Sequence, residues 1–166
     1  TALLMNAVTD WLGAEKPDLV VVQGDTTTAM CGALAAFYLH IPVAHVEAGL
    51  RTGDKLSPFP EEINRVVLSR LADVHFAPTT LSAQNLRAEG IRPASIHVTG
   101  NTVVDALKIA VQRVRAERPN LPAQLADTSP EKKLVLVTAH RRESFDEGIA
   151  SICRALIDAS ERMPAV

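Results

Sequence analysis

Short runs of apolar, often β-branched residues alternate with helical patterns along this 166-residue chain. The runs are too short for helices and lack polar alternation, which is typical of strands covered on both faces. Alternation of such strands with helices favours a parallel sheet with crossover helices. The sequence therefore predicts an α/β fold with a doubly wound, Rossmann-like parallel sheet. We place its strands at residues 19–22, 41–46, 74–77, 96–98 and 134–138.

Between the strands, residues spaced three or four apart, Ala- and Leu-rich composition and capping signals predict helices. We place them at residues 2–13, 27–40, 61–71, 80–89, 102–115 and 148–161. Residues 118–132 are rich in turn residues and poor in periodicity, which indicates a linker. We therefore expect one domain at residues 1–117 and the start of a second at 133–166.

Composition excludes several classes of protein. Hydrophobic residues make up 47% of the chain and the net charge is -2, which indicates a folded protein with no basic run for nucleic acid. No apolar stretch is long enough to span a membrane, and no signal-peptide pattern opens the chain. Cys31 and Cys153 fall within apolar helical patterns, so we expect buried thiols in a reducing cytoplasm.

Acidic residues follow two of the predicted strands directly. Asp25 comes soon after the run at 19–22, and Glu47 comes directly after the run at 41–46. Because open α/β sheets bind ligands at the carboxyl ends of their strands, the two acids predict a site. Each also has a structural interpretation: Asp25 suits the N-cap of the next helix, and Arg51 would be the counter-charge of a buried Glu47. His45 would share a strand face with Glu47, although a lone histidine is often simply packed in a core.

The helix that begins near residue 61 adds a third acid. Glu61, Asn64 and Arg65 stand at i, i+3 and i+4 and so share one face, whereas Glu62 should point away from it. A surface Glu–Arg pair would explain Glu61 and Arg65 on their own. Beside Asp25 and Glu47, the pattern instead favours acid/base chemistry, because carboxylates in one cleft raise each other's proton affinity.

Two further strand-to-helix turns carry polar groups. Asn101, preceded by Gly100, follows the strand at 96–98, where glycine allows either a tight turn or close approach of a ligand. His140 and Arg141 follow the strand at 134–138, where arginine can bind phosphate with paired hydrogen bonds, unless these residues form a solvated loop cluster. Nothing near His140 completes a set of metal ligands, so we expect no metal site.

Together these segments resemble the non-hydrolysing UDP-N-acetylglucosamine 2-epimerases of bacteria. No single segment decides the resemblance, but the matches occur in the family's order from about residue 18 to 146. They are residues 24–28 (Gly-Asp-Thr-Thr-Thr), 45–52 (His-Val-Glu-Ala-Gly-Leu-Arg-Thr), 60–65 (Pro-Glu-Glu-Ile-Asn-Arg), 100–102 (Gly-Asn-Thr) and 138–143 (Thr-Ala-His-Arg-Arg-Glu).

The resemblance implies two Rossmann-like domains that face a deep cleft, a glycosyltransferase-B-like architecture. It implies interconversion of UDP-N-acetylglucosamine and UDP-N-acetylmannosamine, by elimination of UDP to a 2-acetamidoglucal and re-addition of UDP, with no NAD or other cofactor. Asp25, Glu47 and Glu61 correspond to the catalytic carboxylates. The substrate-binding residues, which would contact UDP or an allosteric substrate molecule, are His140, Arg65, Arg141 and Asn101.

The same resemblance implies the partners of the protein. They are UDP-N-acetylglucosamine, as substrate and allosteric activator, UDP, and a second copy of the chain in a homodimer. It also implies a role in cell-surface polysaccharide biosynthesis, while composition and cysteine usage predict a cytoplasmic protein with no nucleic acid or membrane partner. Family members open with a strand and an arginine-bearing loop that have no counterpart here, and this chain ends just inside the expected second domain. We therefore expect a piece of a longer enzyme that is inactive, or nearly so, by itself.

Other functions fit parts of the pattern. A hydrolysing 2-epimerase or a glycosyltransferase on the same scaffold would use similar residues but release free sugar or need an acceptor. A metal-dependent hydrolase would use Asp25, His45 and Glu47 as ligands and lose activity with a chelator. A non-catalytic Rossmann-like binding module would keep its function after Glu47→Gln.

Overall fold

The computed structural model describes residues 1–117, 135–138 and 147–162. The chain divides into two compact units, Thr1–Ile109 and Ala110–Val166. All the candidate site residues that the structure describes belong to the first unit.

A four-stranded parallel sheet forms the centre of the first unit. Its strands are β1 (Val20–Gln23), β2 (Val43–Val46), β3 (Val74–Ala77) and β4 (Ile96–Val98), arranged in chain order. The register pairs Val22 with His45 and His45 with His75, so the strands end close to the same level. The predicted α/β class with a parallel Rossmann-like sheet is confirmed.

Helices connect the strands close to the predicted positions. They are α1 (Ala2–Glu15), α2 (Thr27–Tyr38), α3 (Glu61–Leu71), α4 (Thr80–Ala88), α5 (Thr102–Glu117) and α6 (Glu147–Arg162), with a 3-10 turn at Pro93–Ser95. Helix α2 packs against α1, α3 and the sheet through small buried side chains, which let a helix approach its neighbours closely. Thr26 caps α2 by accepting a hydrogen bond from the backbone N–H of Ala29 at 3.1 Å.

Burial of the strands departs from the prediction in one respect. Three of the four residues of β2 are buried, as expected for a central strand. In β1 only Val22 is buried, and Val21 is 60% exposed, so the prediction that β1 is covered on both faces is wrong. β1 lies at the edge of the described sheet, next to β2 alone.

The second unit also corrects two predictions. Residues 135–138, the described part of the predicted buried strand, have no regular secondary structure, and Leu136 is 88% exposed. A strand needs a hydrogen-bonded neighbour, and none of the described strands pairs with this segment. Cys31 is buried as expected, but Cys153 on α6 is exposed. The predicted linker at 118–132 lies outside the described residues, so the domain bounds remain a prediction.

Within the described ranges, the structure contains no helix long and apolar enough to cross a membrane.

Candidate active site

The turns that follow β1, β2 and β4 bring the candidate acids together at one edge of the sheet. Asp25 follows β1, Glu47 follows β2 and Asn101 follows β4. A Cβ atom placed on Gly24 would lie 3.7 Å from Oε2 of Glu47, so the Glu47 carboxylate lies beside the turn that carries Asp25. The expected proximity of the strand ends is therefore observed.

Asp25 is held by α3 and does not cap α2. The cap is Thr26, so the interpretation of Asp25 as an N-cap is wrong. Arg65 donates from Nε to Oδ2 of Asp25 at 2.9 Å, and its Nη2 lies 2.7 Å from the same oxygen. Asn64 fixes the backbone of this turn by donating from Nδ2 to the carbonyl of Asp25 at 2.8 Å. Among the described residues, Oδ1 of Asp25 has no hydrogen-bond donor.

Glu47 has a left-handed backbone conformation, with φ at 67°. This region is costly for a residue with a side chain, and such conformations occur often at functional sites. Asn101 donates from Nδ2 to Oε1 of Glu47 at 2.9 Å. On the other side of the acid, the N–H of Ala48 bonds to the carbonyl of Phe76 at 3.0 Å, so the chain around Glu47 is fixed.

Arg51 is not the counter-charge of Glu47, so the structural interpretation of Glu47 as the partner of Arg51 is wrong. Arg51 forms an ion pair with Glu89, the residue that follows α4, through Nε at 2.6 Å and Nη2 at 2.8 Å. Nη2 of Arg51 also donates a hydrogen bond to Oγ of Ser69 at 2.8 Å. The guanidinium of Arg51 therefore binds Glu89 and Ser69 and does not contact Glu47. Glu47 instead has a neutral amide partner, Asn101, which fixes its position without an ion pair.

Helix α3 places its two glutamates differently from the prediction. Glu61 is half-buried in the first turn, and its carboxylate makes no hydrogen bond or ion pair with the described residues. Glu62 was expected to point away, yet it is only 3% exposed and pairs with Arg65 at 3.0 Å. Glu62 is held in this buried position by the loop that precedes α3. The backbone N–H groups of Thr52 and Gly53 in that loop each donate to Glu62 at 3.0 Å.

His45 is a buried residue of β2 that supports the Asp25 turn. Its Nε2 lies 2.8 Å from the carbonyl of Gly24 and must donate to it, which leaves Nδ1 without a partner. Burial lowers the pKa of His45, and the hydrogen bond to Gly24 opposes that shift without cancelling it. The prediction that His45 and Glu47 share a strand face assumed that β2 continues through Glu47. β2 ends at Val46, and Glu47 has a left-handed backbone conformation, so the alternation of side chains does not extend to it.

The remaining site predictions lie outside the described residues or concern metals. His140 and Arg141 lie outside them. Within residues 1–117, 135–138 and 147–162, no group of three or more His, Cys, Asp or Glu side chains could hold a metal ion.

Comparison with known proteins identifies the family of this chain. The family model described as UDP-N-acetylglucosamine 2-epimerase matches residues 1–166. This chain belongs to that family. The chain is 49% identical over 161 residues to the UDP-N-acetylglucosamine 2-epimerase of Escherichia coli K12, a match that covers 95% of this chain and 43% of that protein. The chain thus spans less than half the length of this curated relative.

Solved structures of 2-epimerases have the same fold. The UDP-GlcNAc 2-epimerase of Neisseria meningitidis, bound to UDP-GlcNAc, superposes with a TM-score of 0.92 at 42% identity, over 98% of this chain and 44% of that one. The Methanocaldococcus jannaschii 2-epimerase, in complex with UDP-GlcNAc and UDP, gives a TM-score of 0.79 at 39% identity, over 98% and 44%. The predicted 2-epimerase resemblance is therefore confirmed at the level of the family.

The sequence reasoning missed Glu62 and its partners in the loop before α3. Arg65 stands at i+3 from Glu62, a spacing that already permits a contact on one helix turn. The pairing of Arg65 with Glu61 at i+4 was equally compatible with the sequence. Only the path of the loop, which brings two backbone N–H groups to Glu62, distinguishes the two glutamates of this epimerase-family chain.

Proposed function

We propose that the intact protein interconverts UDP-N-acetylglucosamine and UDP-N-acetylmannosamine by the non-hydrolysing route. The observation that carries the proposal is the arrangement of Asp25 and Glu47. Each carboxylate has one oxygen held by a side chain of another element, Arg65 or Asn101. The other oxygen of each has no hydrogen-bond donor among the described residues, so both acids are oriented and available.

The chemistry requires a proton to leave C2 of the sugar and later return from the opposite side. In the forward half, a carboxylate takes the C2 proton, the C–H electron pair forms the C1–C2 double bond, and the C1–O bond breaks. The electron pair of that bond leaves with UDP, and the products are 2-acetamidoglucal and UDP. In the second half, UDP adds again to C1 and a proton is delivered to the other face of C2.

Asp25 and Glu47 suit these steps because a positioned carboxylate beside a ligand can accept and return a proton. Glu61, at the first turn of α3, supplies a third carboxylate whose side chain is free of ion pairs within the described residues. The relatives bound to UDP-GlcNAc or UDP support this substrate class. His140 and Arg141 remain proposed contacts to the nucleotide.

The experiment is proton NMR of UDP-N-acetylglucosamine in D2O with the full-length protein, including any flanking segments that its gene encodes. The proposal expects deuterium at C2 and UDP-N-acetylmannosamine that accumulates to a stable mixture. Free sugar and UDP as the only end products would indicate a hydrolysing 2-epimerase instead. Absence of both exchange and turnover would remove the catalytic role of Asp25 and Glu47.

We also propose a cytoplasmic, homodimeric protein that is activated by a second substrate molecule. Both Cys31 and Cys153 are free, and an exposed free thiol such as that of Cys153 suits a reducing compartment. The dimer and the activation rest on the family resemblance. Analytical ultracentrifugation tests the dimer, and sigmoidal dependence of rate on UDP-N-acetylglucosamine tests the activation.

A further inference from the structure

Glu62 is a buried carboxylate to which the proposed reaction assigns no role. Its side chain is fully engaged: Oε1 accepts the N–H groups of Thr52 and Gly53, and Oε2 accepts Nη1 of Arg65, each at 3.0 Å. Burial by itself would raise the pKa of Glu62, but the hydrogen bonds from Gly53 and Thr52 and the charge of Arg65 outweigh it and lower the pKa. Glu62 is therefore ionised at neutral pH.

Arg65 stands between Glu62 and Asp25 and contacts both. Its Nη1 faces Glu62, while Nε and Nη2 face Oδ2 of Asp25 at 2.9 and 2.7 Å. All three guanidinium nitrogens are thus engaged by two carboxylates, and the Arg65 side chain is only 15% exposed. This arrangement suits a residue that holds another side chain better than one that awaits a phosphate.

The contact between Arg65 and Asp25 uses one carboxylate oxygen only. An arginine side chain that is not otherwise restrained frequently pairs two parallel N–H groups with the two oxygens of one carboxylate. Here both donors meet Oδ2, and Oδ1 has no donor among the described residues. Glu62 restrains the guanidinium through Nη1, and Glu62 is itself restrained by the two backbone N–H groups of the preceding loop.

We propose that Glu62 is a positioning residue, which acts through Arg65 to hold one oxygen of Asp25 and leave the other free for the substrate. This inference rests on the proposed function, because it assigns Glu62 a part in orienting a catalytic carboxylate. It also reassigns Arg65 from a substrate contact to the link between the two acids. A misplaced catalytic group lowers the rate by up to about 100-fold. Because Glu62 would orient a catalytic group and would not contact the substrate, its loss should lower kcat and leave KM unchanged.

The test compares Glu62→Gln, Arg65→Gln and the double variant in the full-length protein. Each single variant is expected to lower kcat roughly 10- to 100-fold with KM changed less than about twofold. Because Glu62 acts through Arg65, Glu62→Gln should add less than about a twofold loss when Arg65 is already Gln. A purely structural contribution of Glu62 would lower kcat by the same factor in both backgrounds.

The matched control is Glu89→Gln. It breaks the ion pair between Arg51 and Glu89, which follows α4, and this ion pair does not include Asp25. It should lower the melting temperature and leave kcat unchanged. If Glu62→Gln fails to fold, Arg65→Lys with Glu62 intact replaces it, because lysine keeps the charge but cannot span two carboxylates. That variant should show the same loss of kcat at unchanged KM.

Two results would overturn the inference while the wild type still epimerises. One is a folded Glu62→Gln or Arg65→Lys variant with the kcat of the wild type. The other is an undiminished effect of Glu62→Gln in the Arg65→Gln background. Failure of the proposed function is distinguishable from both, since the wild-type protein would then show no exchange at C2.

Discussion

Asn101 donates a hydrogen bond from Nδ2 to Oε1 of Glu47 at 2.9 Å, across 54 residues of sequence. Glu47 follows β2 and Asn101 follows β4, so the contact passes over the end of β3. The Oδ1 atom of Asn101 accepts the backbone N–H of Val103 at 3.0 Å, in the first turn of α5. The orientation of the Glu47 carboxylate is thereby coupled to the start of α5.

Asn101→Ala should therefore lower kcat of the full-length protein. A hydrogen bond to a charged group contributes about 1.5–3 kcal/mol, and about 1.4 kcal/mol corresponds to tenfold in rate. We expect a loss of at least about tenfold in kcat with little change in KM. Steady-state kinetics by NMR or coupled release of UDP measures both constants.

Asn85→Ala is the control for Asn101, because Asn85 donates a comparable hydrogen bond at 3.0 Å to the backbone carbonyl of Gly49. It should reduce stability and leave kcat unchanged. A rise in KM alone for Asn101→Ala would show that Asn101 contacts the substrate, as the sequence suggested, and does not orient Glu47.

Glu47→Gln should remove most of the epimerase activity while the fold is kept. Gln is nearly isosteric with Glu but cannot accept a proton, and general acid/base groups contribute about 100-fold or more to rate. We expect deuterium incorporation at C2 to fall at least about 100-fold at an unchanged melting temperature. Asp10→Asn, at an exposed position on α1, is the control and should retain full activity. Incorporation at the wild-type rate would show that Glu47 has a structural role only.

The positions of β1 to β4, and of Asp25 and Glu47 after them, could be predicted because both depend on local patterns. A short apolar run between two helical patterns favours a parallel strand, and a parallel sheet aligns the residues that follow its strands. That reasoning placed α3 at its observed bounds and put Asp25 and Glu47 at the same edge.

The partners of the charged side chains could not be predicted, because they depend on tertiary distances. Arg51 is four residues from Glu47 in the sequence, yet its ion pair is with Glu89, which is 38 residues away. Glu61 and Glu62 are adjacent and chemically identical, and only the course of the preceding loop determines that Glu62 is buried. The conformation of Glu47 likewise breaks a period of two that the sequence implied.

Gly49→Ala should destabilise the protein strongly. Gly49 has φ at 88°, and a Cβ atom there would lie 2.2 Å from the backbone carbonyl oxygen of Ser82, in α4. Overpacking typically costs about 1–3 kcal/mol and a left-handed backbone about 1–2 kcal/mol more. We expect a loss of at least about 2 kcal/mol in the free energy of unfolding, measured by chemical denaturation of the full-length protein.

Gly13→Ala is the matched control for Gly49, since a Cβ atom at Gly13 would meet nothing within 4 Å. Gly13 lies inside α1, where alanine is about 0.5–1 kcal/mol more favourable than glycine. This variant should be as stable as the wild type or more so. Equal stability of Gly49→Ala and Gly13→Ala would contradict the close approach of Gly49 to α4.

Stability should fall as the pH drops below about 6.5, because of His45. The unfolded chain takes up a proton on this histidine near its ordinary pKa of 6.5, whereas burial lowers the pKa in the folded state. Between the two values the unfolded state binds more protons, so stability is fully present above 6.5 and is lost as the pH falls toward the folded pKa. The lowered pKa of Glu62 acts in the same direction, but only below its ordinary value of 4.5.

Chemical denaturation at a series of pH values between about 5.5 and 7.5 measures this dependence in the full-length protein. His45→Gln retains an N–H donor for the carbonyl of Gly24 but does not titrate, so its stability should vary less with pH than that of the wild type. His97→Gln, at an exposed position on β4, should leave the dependence unchanged. An undiminished slope in His45→Gln would show that the buried imidazole does not control stability in this range, and that another group titrates there.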